Sequence, residues 1–438
     1  MTLSSTELTD KMTTQAAQLP SVYGHVDFSI TPERFTAEPG DQTDLAVELA
    51  HRRPELLANQ ELVARVRAFT MTGDVVADAY AALSPQYGFK RLIAMLEQAC
   101  THGLDSVASA PPELARFIHE MEQLPSWLDA RLIAEGARLE RNAYAHRAPF
   151  VIRGGIIGTF MNKYAALPMV LTGALSHKTA GRRIKETATF FTSIVMPDAL
   201  DRHGMAFKSA AMVRLMHSMV RCNLLGHGNR WDVKTYGIPI PQIDQLPAGL
   251  LSVAALAEKA FRHGRTTFTP AERAHVELAR YRCFLLGLPQ ELLADTPQGI
   301  FSILLTRQAT LRKGFDENCV ALVRATMDAD LKPDDSLPAR FHEWMERGFA
   351  KVYVAPKPLK GGRGADASIH VGSADHLAAA AALALIAVTM AGYAIAARLP
   401  LIRGAADRAL VRKLSKQLAS YGHAEFTTNA DSYRPAHT

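Results

Sequence analysis

The densest concentration of chemically useful side chains is the segment 204–225, GMAFKSAAMVRLMHSMVRCNLL. Helical spacing puts Arg214 one turn before His217 and Arg221 one turn after it, all on one face. Met212, Leu215, Met216 and Met219 supply apolar surface around the ring. A neutral imidazole on an apolar helix can ligate haem iron, and guanidinium groups one turn away can pair with propionates. On this reading His217 is the metal ligand, Arg214 and Arg221 hold propionates, and Met212 and Met216 line the cofactor. A histidine on a helix is, taken alone, more often a packed or solvated residue than a ligand.

A second segment, HKTAGRRIKETATFF (177–191), places Arg183 and Thr187 four residues apart and therefore on one helical face, with Glu186 beside the threonine. Arginine, threonine and a carboxylate facing an apolar pocket can polarise dioxygen or move a proton. The competing reading is a charged, solvated helix start. A third segment, GHGNRWDVKTYGIPIPQIDQL (226–246), is rich in turn residues and has the length of a lid or site wall, or of a plain surface connection.

Other chemistries find no support in the 438 residues. The chain has no HExxH and no GxSxG, and its four cysteines (Cys100, Cys222, Cys283, Cys319) form no CxxC pair. RGGIIGTF (153–160) lacks the preceding strand and the Lys-Ser/Thr ending of a phosphate loop, so its glycines are read as helix-packing positions. A formal charge of +6 without a basic block interleaved with aromatics argues against nucleic-acid binding. The first thirty residues show no secretory pattern, from which a cytoplasmic location is expected.

The elements that carry these residues should be helical almost throughout. Apolar residues recur at three- and four-residue spacing from about residue 43, in 112–146 and in 204–225. Residues 1–40 read as an irregular arm, and Lys351–Ala355 and Ile369–Val371 are the short strand candidates. Leu377–Ala397 is uncharged and just long enough to cross a bilayer, and a basic helix follows it. Packing against the protein is the favoured reading, with membrane contact through 377–416 as the alternative.

The series R-x-x-x-T (Arg183, Thr187), PDALDRHG (197–204), V-R-L-x-H-x-x-V-R (213–221), G-I-P-I-P-Q-x-D (237–244) and ARYRCFLLGLPQELL (279–293) resembles the catalytic domain shared by latex-clearing protein (rubber oxygenase) and the mycophenolic-acid-pathway oxygenase. The resemblance covers roughly 125–345 and leaves out the first 120 residues and the tail after 355. It implies an all-α fold with a globin-like core and one non-covalent haem b on His217. Arg183 and Thr187 would line the distal side. The implied reaction is a dioxygenase cleavage of isoprenoid double bonds, and the missing secretory pattern favours a hydrophobic small molecule (lipid, isoprenoid or aromatic) over a solid extracellular polymer as substrate. Two positions depart from the family: Glu186 stands where a lysine precedes the threonine, and Leu167 stands where an acidic base falls.

The resulting expectation is a single large helical domain. It comprises an N-terminal extension (1–120), the haem domain (121–352), a linker (353–368) and a C-terminal tail (369–438) carrying the apolar helix 377–397. The rival readings are a haem or gas-binding protein without catalysis, and a cofactor-free membrane-associated scaffold.

Overall fold

The computed structural model describes residues 4–172, 179–226, 231–354 and 369–422. Within them the protein is all-α. The described residues contain no strand, only the isolated bridges Phe35–Leu311 and Thr43–Arg312.

Contacts divide the chain into two compact units. One takes the described residues of 1–136 and 200–313, the other those of 137–199 and 314–425. The boundary at 136/137 falls inside the helix Ala130–His146.

In the first unit the helix Met205–Gly226 packs against Val75–Ala81 and Phe89–His102. Phe89–His102 shows why such segments fold as helices: Leu92, Met95, Leu96, Ala99 and Cys100 recur on one face and are buried, and Gly103 at φ +89° ends the helix. Pro270–Leu285 begins with a capping box in which Thr269 and Glu272 satisfy each other's backbone N–H groups. A smaller cluster of Leu45, Leu56, Phe301, Leu305 and Ala309 closes another side of the unit.

The N-terminal arm is irregular only in part, since residues 24–40 form no helix but the stretch before them does. Ser5–Gln18 is a helix, opened by a capping box between Ser4 and Glu7 and held by buried Leu8, Met12 and Gln15. Polar composition hid an amphipathic pattern whose apolar positions recur once per turn.

The second unit is built around Ile157, Phe160, Ile184, Leu322 and Val323. Arg153 lies wholly buried here. Its Nε donates to both carboxylate oxygens of Glu346 at 2.9 Å, and its Nη1 donates to the carbonyls of Thr326, Met327 and Ala329 at 2.6–3.0 Å. One guanidinium thus satisfies carbonyls at the end of the helix Glu317–Asp328. The RGGIIGTF glycines lie inside or beside the helix Ala148–Thr159, where a Cβ on Gly154 would come within 2.9 Å of the Tyr353 ring.

Both strand candidates fail. Lys351–Val354 is the last turn of the helix Leu337–Val354, and Ile369–Val371 forms no strand. Of the expected linker, 355–368 lies outside the described residues. The apolar helix, Ser373–Arg398, packs only a narrow alanine-rich face, burying Ala378, Ala379, Ala382 and Ile386. It is the one helix among the described residues long and apolar enough to cross a membrane.

Candidate functional site

His217 sits a little past the middle of the 22-residue helix Met205–Gly226, a segment free of proline. Its Nδ1 donates to Oε1 of Gln245 at 3.0 Å. Burial and the neighbouring Arg221 guanidinium pull its pKa down to about 4, with the Gln245 hydrogen bond opposing only in part. The imidazole is therefore neutral at physiological pH. With Nδ1 committed as donor, Nε2 carries the lone pair, and no hydrogen bond among the described residues takes it. A histidine prepared in this way suits an axial iron ligand. Met212 is buried and Met216 half-buried on the same helix.

The two arginines serve a different purpose from the one expected. Arg214 Nη2 reaches Oδ1 of Asp74 at 2.8 Å, pairs also with Glu120, and lies 5.0 Å from the Phe117 ring centroid. Arg221 is fully buried: Nη2 reaches Asp78 Oδ1 at 2.8 Å, and Nη1 donates to the Ile240 carbonyl at 2.9 Å. Tyr23 adds a hydroxyl hydrogen bond to Asp78. Burial would raise the Asp74 pKa, but Arg214 outweighs it and keeps this carboxyl below its usual range. At Asp78 burial prevails and the pKa rises. Protein carboxylates already engage both guanidinium groups, which gives Arg214 and Arg221 a positioning role beside the propionate role read for them. Arginines seven residues apart meet aspartates four apart, which fixes the rotation and register of the helix that carries His217.

The segment after this helix is an anchored strap, described from residue 231. Trp231 Nε1 donates to the Gly237 carbonyl at 2.6 Å, and Gly237 turns the chain at φ +68° where a Cβ would lie 2.9 Å from the Thr70 carbonyl oxygen. Gln242 bonds to the backbone of Thr72 and Gly73. Asp244 is gripped by Arg34 at 2.7 Å and Arg307 at 3.0 Å, which together overcome burial and hold its carboxyl below the usual range. These ties leave Gln245 little freedom, and Gln245 orients His217. Gln245, Asp74 and Asp78 escaped the sequence reading. The available signal was the short QIDQ run directly after the proline turn, inside a segment taken for a lid or wall.

A cavity of about 410 Å³ in the same unit is bordered by Arg214, Asp74, Glu120, Gln242 and Phe284. His217 does not line it.

In the second unit the helix Ala180–Ser193 carries the other expected residues. Arg183 Nη1 pairs with Glu186 Oε2 at 2.8 Å, and the Thr187 hydroxyl donates to the Arg183 carbonyl at 3.0 Å. Glu186 is buried, whereas Arg183 and Thr187 are half-buried. Thr187, its proton turned back to the helix, offers oxygen lone pairs. The Glu186 carboxylate is joined to Arg183. The Phe190 and Phe191 rings meet edge-on at 5.1 Å, and Leu167 is buried in the helix Lys163–Leu171.

Residues 143–419, well over half of the chain, match the family model described as ER-bound oxygenase mpaB/B'/Rubber oxygenase, catalytic domain. The chain belongs to this family. The matched span takes in Arg183, Thr187 and His217. It also takes in both C-terminal helices, which the sequence resemblance had left out. The rubber oxygenase of Streptomyces sp. (strain K30) is 23% identical over 206 residues, 46% of this chain and 50% of that protein. The chain thus spans about half the length of this curated relative. The structure entitled Latex Clearing Protein LCP in the closed state superposes with a TM-score of 0.56 at 18% identity, covering 80% of this chain and 91% of that one. This likeness establishes the all-α fold.

Proposed function

We propose that this chain is a haem-b-dependent oxygenase acting with dioxygen on a hydrophobic small molecule of isoprenoid, lipid or aromatic type, by oxidative cleavage of a carbon–carbon double bond. The observation that carries the reading is the state of His217: neutral, tied through Nδ1 to Gln245 at 3.0 Å, with Nε2 uncommitted. Bound haem would supply the redox chemistry of dioxygen that amino-acid side chains lack. His217 would hold the iron, and Gln245 keeps its tautomer and ring plane. The Arg214–Asp74 and Arg221–Asp78 pairs keep the helix from rotating the ring out of line. Arg183 and Thr187 take the distal role that the family resemblance assigns them. Thr187 offers acceptor lone pairs, and Arg183 offers positive charge shared with Glu186. Phe190 and Phe191, on the helix of Arg183 and Thr187, would contribute apolar surface for the substrate.

Purified protein reconstituted with haemin should show a Soret band, and His217→Ala should lose most of the bound haem while keeping its helical circular dichroism. Full haem retention by that folded variant would place the ligand elsewhere. Oxygen uptake should follow addition of a member of an isoprenoid and phenolic panel.

One observation favours a second reading, a haem or gas-binding protein without turnover. Leu167 is a buried apolar residue where the family carries its acidic base, and Glu186 is ion-paired to Arg183. Haem binding without oxygen consumption across the panel would select it.

A further inference from the structure

We propose that the turn joining the two C-terminal helices, together with the exposed stripe leading into it, seats on an anionic lipid surface as a peripheral anchor. The turn is Arg398-Leu399-Pro400-Leu401-Ile402-Arg403. It is well formed: the Leu399 carbonyl accepts from Ile402 N at 3.1 Å and from Arg403 N at 2.9 Å. Yet its apolar residues face outward. Leu401 is 98% exposed, and Leu399 and Ile402 are close to half exposed. The stripe continues up the preceding helix through Ile395 and Val388, at 61% and 72% exposure, spaced so that they share a face. An apolar tip of this kind gains nothing from folding and marks a surface for contact.

Charge identifies the partner. Arg398, Arg403, Arg408, Arg412 and Lys416 are exposed around and behind the tip. Asp407 is the one acid between 398 and 421, and Arg141 already pairs with it at 2.7 Å. A second copy of the chain seated on this tip would bring arginines against arginines with no acid to oppose them. Lipid phosphates answer the cations, and acyl chains answer the leucines.

Packing decides against a membrane span. The first half of the helix Ser373–Arg398 is tied to Leu337–Val354: Gly348 admits the Ala378 methyl, Lys351 pairs with Asp375 at 3.0 Å, and Ala382 and Ile386 are buried. The second half is held too, with Asn142 Nδ2 donating to the Met390 carbonyl at 3.0 Å and the His146 ring 4.8 Å from that of Tyr393, so only the exposed stripe and the turn are free to enter lipid. This inference is independent of haem.

The test is co-sedimentation of the full chain with vesicles of phosphatidylcholine alone and of phosphatidylcholine mixed with phosphatidylglycerol. Binding to the anionic vesicles only, weakening with salt, is expected. Leu401→Asp with Ile402→Asp should abolish it, and Arg398→Ala with Arg403→Ala should reduce it roughly twentyfold, on the order of fivefold per arginine. All four positions are exposed, so unchanged thermal melting will show that the variants fold. Failure to bind anionic vesicles, or equal binding to neutral ones, overturns the proposal. So does dimerisation that Leu401→Asp abolishes, because a second copy would then cover the tip. A chain extractable only by detergent would mean that the helix spans the bilayer, and would overturn it too.

Discussion

Replacing Gln245 with Glu would put a carboxylate where a neutral amide oxygen now accepts from His217 Nδ1 at 3.0 Å. In the wild type, burial and Arg221 hold the imidazole at about 4, against 6.5 for an unperturbed histidine. A unit charge about 4 Å from the ring charge, in surroundings of effective dielectric ~20, contributes about 4 kcal/mol, or roughly three pKa units. The His217 midpoint should therefore move from about 4 to about 7. Titration of the apoprotein by histidine-selective NMR, with the resonance assigned through its loss in His217→Ala, reads this directly and needs no cofactor. Stability should follow. Because the wild-type folded pKa is depressed, the unfolded chain takes up the proton first as pH falls, and stability is lost between pH 6.5 and 4. The loss amounts to ~2.4 kcal/mol between about pH 7 and about pH 4.5. With the folded pKa raised in Gln245→Glu, that loss should vanish. A wild-type midpoint near 6.5 would refute the account of a neutral imidazole, and an unmoved midpoint in the variant would refute the Gln245 contact.

Three further outcomes follow from the same geometry. Arg221→Met strands Asp78 in a buried position and should cost about 3–5 kcal/mol in urea unfolding, with Asp78→Asn in the same chain recovering part of it. Gly348→Ala drives a methyl to within 2.4 Å of the Ala378 Cβ, so calorimetry should show about 1–3 kcal/mol of destabilisation from overpacking. Glu186→Gln removes the charge that Arg183 now meets at 2.8 Å, and should lower substrate-dependent oxygen uptake on the order of tenfold while leaving haem content unchanged. Unaltered uptake would remove Glu186 from the working site.

What the sequence disclosed and what it withheld divide along the range of the interactions involved. The helix of His217 is legible because its periodicity is local, and so is the Arg183–Thr187–Glu186 grouping, which little more than one helical turn brings together. The helix Ser5–Gln18 was missed although its start was equally local: Ser4 and Glu7 spell a capping box, and Leu8 and Met12 mark the buried face. There the polar composition masks the pattern. The ion pairs of Arg214 and Arg221 are a different case. Their spacing showed a shared face, but what lies opposite that face is Asp74 and Asp78, some 140 positions away in the chain. No local rule distinguishes an arginine that awaits a propionate from one that awaits a protein carboxylate.

The distinction matters for the haem reading. An arginine free to bind a ligand pays its desolvation when the ligand arrives, whereas Arg221, fully buried against Asp78, has met that cost on folding. Its contribution is then to the geometry of its neighbour: a helix pinned by two buried ion pairs presents His217 at one rotation, and the strap held by Asp244 presents Gln245 to it. Preorganisation of this kind would let one imidazole serve as sole protein ligand in the proposed haem site, since the orientation a loose side chain would lose on binding is already fixed. It also predicts the order of damage. Loosening the strap through Asp244→Ala should weaken haem retention by about tenfold or more, although Asp244 contacts no part of the imidazole. A variant folded as well as wild type, with unchanged haem affinity, would show that the strap does not govern the ring.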